Sequence, residues 1–201
     1  MTEADTRRPD LPHLEADQQI LFSALLDRGI EGRSLLDVGC GTGRLHHRLL
    51  AEGASSAVGV ELSEEYLEKA RALSLQLGHQ DRTSYLKGDF MKLADRIEPA
   101  DLVLLDKVVH CTHDPQTLIQ QSAAHAQTLV ALTFPANRPL LRLSMQLLGP
   151  ILRLVLPFRV RFTAPDQIRA WIRGCGFERV FWHDSELWYT EIYRRCEAPV
   201  D

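Results

Sequence analysis

The arrangement in this chain best suited to chemistry is Leu35-Leu36-Asp37-Val38-Gly39-Cys40-Gly41-Thr42-Gly43, a short apolar run that stops at a carboxylate and then places a glycine at every second position. Glycines at such spacing remove the Cβ atoms that keep a ligand away from backbone, and they accept positive φ. A dinucleotide fingerprint, GxGxxG, would need its third glycine at position 44, which is Arg44. The spacing here is GxGxG. A pyrophosphate seated on the following helix N-terminus would be repelled by Asp37, whereas a ligand carrying an ammonium or sulfonium charge would be attracted. The turn therefore argues against a dinucleotide oxidoreductase and for a cationic nucleoside without a diphosphate.

Further acidic residues follow at regular stages. Glu61 ends the apolar stretch SAVGVE, where a carboxylate can accept both hydroxyls of a ribose; alone it would read as a solvated residue before a helix that starts at Ser63. In Lys87-Gly88-Asp89-Phe90, Asp89 could accept from an exocyclic adenine amine and Phe90 could lie against the ring, or Asp89 could simply cap the next helix. The stretch from Asp106 to Pro115, DKVVHCTHDP, holds the candidates for proton transfer. His110 has the near-neutral pKa a general base needs, and reads equally as a histidine that caps loop backbone. His113 and Asp114 read as the start of a helix, with Asp114 as N-cap and Pro115 in the first turn. His110, Cys111, His113 and Asp114 also have metal-ligand chemistry, but ligands drawn only from adjacent loop residues seldom reach tetrahedral geometry, so no metal site is expected.

The elements that must position these residues alternate between two periodicities. Extended patterns occupy residues 34–38, 57–60, 83–87, 102–105 and 128–133, and helical patterns occupy 14–27, 43–52, 64–76 and 115–125. Such alternation predicts βαβ units and a parallel sheet, and the unbroken apolar run at 102–105 suits a strand covered on both faces. A helix opening at Thr163-Ala164-Pro165-Asp166, then extended stretches at 177–182 and 187–193 around Asp184-Ser185-Glu186, predict a terminal antiparallel hairpin. With 201 residues, 45% of them apolar and 25% charged, the chain is expected to form one domain over 13–201 behind a loose arm at 1–12. A net charge of −4 offers no general attraction for nucleic acid. Four scattered cysteines without a CxxC pair, and a beginning without a signal-peptide core, predict a reducing cytoplasm.

Taken together, LLDVGCGTG, VGVELS, KGDF and DLVLLDKVVH resemble the first four motifs of the class I S-adenosylmethionine-dependent methyltransferases, over about residues 18 to 193. The resemblance implies an α/β, Rossmann-like fold: a seven-stranded, mostly parallel sheet with a C-terminal antiparallel hairpin, helices on both faces and a helical insertion after the fifth strand. It also implies S-adenosyl-L-methionine as cofactor. By motif, Asp37, Gly39, Cys40 and Gly41 would hold its methionine part, Glu61 its ribose, and Leu62, Asp89 and Phe90 would surround its adenine, with Gly43 and Asp106 also expected to bind the cofactor. His110 falls where many members carry a histidine facing the substrate. Members that methylate base amines carry an Asn/Asp-Pro-Pro-aromatic tetrad after the fourth strand; Asp106-Lys107-Val108-Val109 departs from it, so nucleic acid is not the expected partner. The fourth-motif region is distantly similar to magnesium-protoporphyrin methyltransferases.

Residues 138–161 hold five arginines, no acid and many leucines. Arg142, Gln146, Gly149 and Arg153 form one narrow polar stripe, which predicts two short helices broken at Gly149-Pro150. Within an insertion over 136–162, this pair reads as a lid over a lipophilic or anionic substrate, a pair packed on the core, or a surface for peripheral membrane contact; the arginines exclude a transmembrane span. The expected function is methyl transfer to oxygen, nitrogen or sulfur of a small lipophilic metabolite. The alternative is a non-catalytic protein that binds S-adenosylmethionine for regulation. The sequence assigns no oligomeric state.

Overall fold

A computed structural model of the chain describes residues 11–136, 138 and 163–197. Seven strands form one sheet: β1 (Ser34–Val38), β2 (Ser56–Glu61), β3 (Thr83–Lys87), β4 (Ala100–Asp106), β5 (Ala126–Pro135), β6 (Phe177–Asp184) and β7 (Trp188–Arg195). Their order is β3-β2-β1-β4-β5-β7-β6. β1 to β5 are parallel, and β7 runs antiparallel to both β5 and β6, as the sequence predicts. The chain reverses its direction of travel across the sheet between β1 and β4, and the crevice beyond the carboxyl ends of those strands is where an open α/β sheet takes its ligand.

Helices α1 (Ala16–Leu26), α2 (Arg44–Ala51), α3 (Glu64–Leu77), α4 (Phe90–Leu93), α5 (Pro115–His125) and α6 (Pro165–Gly174) cover the strands. Leu21, Leu25, Leu45 and Leu49 of α1 and α2 pack against Leu35, Leu102, Leu104 and Ile192 on one face. Leu118 and Ile119 of α5 and Ile168 and Ile172 of α6 pack against Leu36, Val103, Leu105 and Tyr193 on the other. The alternation Leu35/Leu36 and Leu102/Val103 thus serves two cores at once, which is why these strands are apolar throughout.

Local chemistry sets the boundaries. Ser63 caps α3 by accepting from Tyr66 N–H at 3.4 Å, and Gly78, in the left-handed region at φ +69°, ends it. Asp114 caps α5 through Thr117 N–H at 3.0 Å with Pro115 behind it, as the sequence predicts. β5 is longer than the 128–133 read from sequence because its pairing with β7 continues to Pro135 opposite Trp188. The short helix α4 is absent from the sequence reading, since a single turn leaves no periodicity to detect. The arm at 1–10 and residues 137 and 139–162 lie outside the described residues, and with them the lid, core and membrane-surface readings of 138–161. No helix among the described residues is long and apolar enough to cross a membrane.

Candidate active site

The glycine turn is tied to β2 by backbone: Gly39 and Cys40 both donate to Val60 O, at 2.8 and 3.1 Å. Gly39 has φ +72°, and a Cβ there would lie 2.7 Å from Val108 Cγ2, so the turn passes against the chain leaving β4 with no room for a side chain. Gly41 is different. It has φ +54° and nothing within 4 Å of a Cβ position, so its backbone borders open space. Glu61, at the end of β2, reaches across to this point: its Oε2 accepts from Gly41 N–H at 3.1 Å, while Oε1 accepts from Leu62 and Ser63 N–H at 2.8 and 2.9 Å. Three amides fix the carboxylate and leave further lone pairs for hydroxyl donors. Leu62 beside it is 70% exposed, an apolar side chain held out into solvent at the same rim.

β3 joins this rim through Gly88 N–H, which donates to Glu61 O at 2.9 Å. Asp89 caps α4 by accepting from Met91 N–H at 3.1 Å. Phe90 requires a correction: its ring is buried in the core, edge-on to His125 with centroids 5.5 Å apart, rather than presenting a face to a ligand. The apolar ring follows the core pattern of α4, and position 90 keeps only its backbone near the rim.

Asp37 is buried at the end of β1, and its Oδ2 lies 2.8 Å from Nδ1 of the fully buried His46 on α2. Cys40 is shielded beside it, and burial, then the charges of Asp37 and Glu61, push its thiol far above the usual range. Asp106, at the end of β4, accepts from Gln18 Nε2 at 2.7 Å through Oδ2. Gln18 also accepts from Glu15 N–H at 3.2 Å, so the residue that caps α1 anchors the helix over β4. Burial raises the Asp106 carboxyl above its ordinary range.

Beyond β4 the chain turns through Lys107, a non-glycine residue at φ +55°, whose amide donates to Thr133 O at 3.0 Å. The Lys107 ammonium lies 2.5 Å from Glu15 Oε2 and 4.9 Å from the centre of the Trp188 ring. His110 packs against the other part of that ring, with centroids 5.4 Å apart. Burial, then the Lys107 charge, lower the His110 pKa, so the imidazole is neutral at neutral pH. Its Nδ1 is buried without a partner, as are Asp106 Oδ1 and Thr133 Oγ1. His110 is thus half-buried against Trp188 and does not cap the loop through Nδ1. Among the described residues no three His, Cys, Asp or Glu side chains converge as a metal-ligand set.

A methyltransferase-domain family matches residues 35–128, the segment from β1 to β5. A tRNA U34 carboxymethyltransferase of Dichelobacter nodosus is 35% identical over 102 residues, 50% of this chain and 32% of its own length. The tRNA U34 carboxymethyltransferase of Serratia proteamaculans is 28% identical over 177 residues, 84% of this chain and 52% of its own. The chain therefore spans between a third and about half of these curated relatives. Among solved structures, magnesium protoporphyrin IX methyltransferase from Synechocystis, with S-adenosylhomocysteine bound, superposes with a TM-score of 0.72 at 20% identity, covering 92% of this chain and 89% of that one.

Residues 35–128 thus match a methyltransferase-domain family, on a fold shared with the Synechocystis enzyme. The open backbone at Gly41, facing a fixed carboxylate and an exposed leucine, fits a nucleoside. The turn at 39–43, Glu61 and Gly88 are joined by hydrogen bonds into one rim, while Asp106 and Lys107 are tied to α1 and its cap through Gln18 and Glu15. Several residues of this neighbourhood escaped the sequence reading: His46, Tyr85, Gln18 and Trp188. The paired histidines on the first turns of α2, inside an otherwise ordinary amphipathic pattern, were the one available signal.

Proposed function

We propose that this chain is an S-adenosylmethionine-dependent methyltransferase of class I, and that it transfers the methyl group to a nucleophile on a small molecule seated between α1, the 107–113 turn and Trp188. The observation that carries the reading is His110 Nδ1, buried without a partner while its ring packs on Trp188. Buried polar groups are normally satisfied, so an unpartnered imidazole nitrogen against an aromatic wall favours a polar ligand group there. On the donor side, Glu61 takes the ribose hydroxyls, Leu62 and the backbone at Asp89 and Phe90 border the adenine, and Asp37 with Gly39, Cys40 and Gly43 shapes the end that carries the methionine amine.

A sulfonium supplies an electrophilic methyl group that reacts by in-line displacement. The protein's work is then alignment and exclusion of water. Neutral His110 can take a proton from an acceptor that does not lose one readily. Binding without turnover is the alternative. Residues 138–161, with their leucines and arginines, favour a lipophilic acceptor, and four free thiols fit a reducing cytoplasm.

A second reading has its own support: the curated relatives named above act, by name, on tRNA. One experiment separates the readings. Purified protein is incubated with methyl-labelled S-adenosylmethionine and, in separate arms, with fractionated metabolites and with bulk tRNA. Label in a metabolite fraction, lost in His110→Ala, supports the first reading; label in tRNA replaces it with the second; label in neither with intact cofactor binding favours a binder. Glu61→Ala is expected to weaken cofactor binding by about 10–100-fold in calorimetry, because two hydrogen bonds to a charged acceptor disappear.

A further inference from the structure

Behind the glycine turn five polar side chains are linked through the interior. Asp37 Oδ2 meets His46 Nδ1 at 2.8 Å; His46 Nε2 meets Tyr85 Oη at 3.1 Å; Tyr85 Oη meets His47 Nε2 at 3.0 Å; His47 Nδ1 meets His79 Nδ1 at 3.1 Å. They come from β1, α2, β3 and the turn after α3. His46 and His47 are fully buried, and Asp37 and His79 nearly so. So many buried polar groups require a use.

Its two ends have definite donors and acceptors. His47 Nε2 also approaches Ala70 O, at 3.4 Å, and a carbonyl only accepts, so that nitrogen carries the proton. His47 Nδ1 then accepts from His79 Nδ1–H. Burial, the largest cause, lowers the His47 pKa to about 3, which keeps this ring neutral. The Tyr85 hydroxyl, with one hydrogen, lies between two further acceptors, His46 Nε2 at 3.1 Å and Ala70 O at 3.3 Å. At the other end a carboxylate only accepts, so His46 Nδ1 carries a proton and donates it to Asp37 Oδ2. The backbone has been shaped around it: a Cβ at Gly43 would lie 2.7 Å from His46 Nε2 and Cε1, and a Cβ at Gly59 would lie 2.9 Å from Tyr85 Cδ1.

We propose that His46 and Tyr85 are positioning residues for the cofactor: they hold the Asp37 carboxylate in one rotamer, with Oδ2 bound inward and Oδ1 left for the methionine ammonium. This rests on the reading that Asp37 serves the methionine end of S-adenosylmethionine. His46 and Tyr85 neither bind the ligand nor touch the methyl group. They fix which Asp37 oxygen is offered.

The test measures dissociation constants for two ligands, S-adenosylmethionine and 5′-methylthioadenosine, which lacks the amino-acid end. Tyr85→Phe is expected to weaken S-adenosylmethionine about threefold to tenfold and His46→Leu tenfold or more, with methylthioadenosine unchanged within about twofold in both. His46→Asn, whose amide can replace the Nδ1 donor, should recover most of the loss. The double variant Asp37→Ala/His46→Leu should bind no worse than Asp37→Ala alone. Equal weakening of both ligands means a merely structural role and overturns the proposal. So does wild-type affinity in Tyr85→Phe and His46→Leu while Asp37→Ala is impaired. If Asp37→Ala itself binds like wild type, the assignment of Asp37 to the cofactor fails first. Should His46→Leu not fold, Tyr85→Phe and His46→Asn with the two ligands still decide.

Discussion

At the scale of the residue, spacing and charge sign carried most of what could be known. The positions of Asp37 and Glu61 were legible because each lies in the last two residues of a strand, and strand ends follow from the apolar pattern. His46, Tyr85 and His79 were not, because their relation exists only once α2, β3 and the turn after α3 are packed together. Phe90 shows the opposite error: an aromatic residue beside a predicted ligand site was assigned to the ligand, and the core claimed it. Asp106 yields a prediction with a definite sign. Burial raises its carboxyl above the ordinary 3.8, so the folded state binds more protons than the unfolded state between that value and the folded one. Stability therefore falls as pH rises through this window and stays reduced above it. Asp106→Asn, which keeps an acceptor for Gln18, should raise the melting temperature at pH 7 by about 2–4 °C and give no gain below pH 3.8, as followed by circular dichroism.

At the scale of the element, helix and strand identities were legible and their ends less so. β5 outran its sequence reading because pairing with β7, not its own composition, decides where it stops. Two elements make sharp predictions. Gly43 combines φ +78° with a position whose Cβ would strike the buried His46 ring, which has no exit. Gly43→Ala should destabilise the protein by about 2 kcal/mol or more, read as a lowered urea midpoint. In the hairpin, Glu191 is fully buried and accepts from Arg169 Nη2 at 2.7 Å, Arg179 Nη1 at 3.1 Å and the Tyr193 hydroxyl, joining α6 to β6 and β7. Glu191→Ala leaves two arginines without their shared acceptor and should cost about 3 kcal/mol. The companion Tyr193→Phe should cost about 1 kcal/mol, since it removes a single donor.

At the scale of the whole molecule, the described part of the chain is closed by contacts between its two ends. Arg28 Nη2 donates to Val180 O at 2.8 Å with its guanidinium over the Phe181 ring, and Ser185 Oγ donates to Asp17 Oδ1 at 3.0 Å. Arg28→Ala should therefore speed amide exchange in α1 and the β6–β7 hairpin together and leave β1 and β2 protected, which mass spectrometry of exchanged fragments can resolve. This closure was invisible in the sequence, where the partners stand at opposite ends with no shared pattern. It also imposes a schedule on the molecule's birth. Synthesis runs from the amino terminus, so the glycine turn and the strands that carry Glu61 and Asp106 emerge before Trp188, the wall beside His110. A nascent chain thus exposes His110 before the ring that shields it has been made.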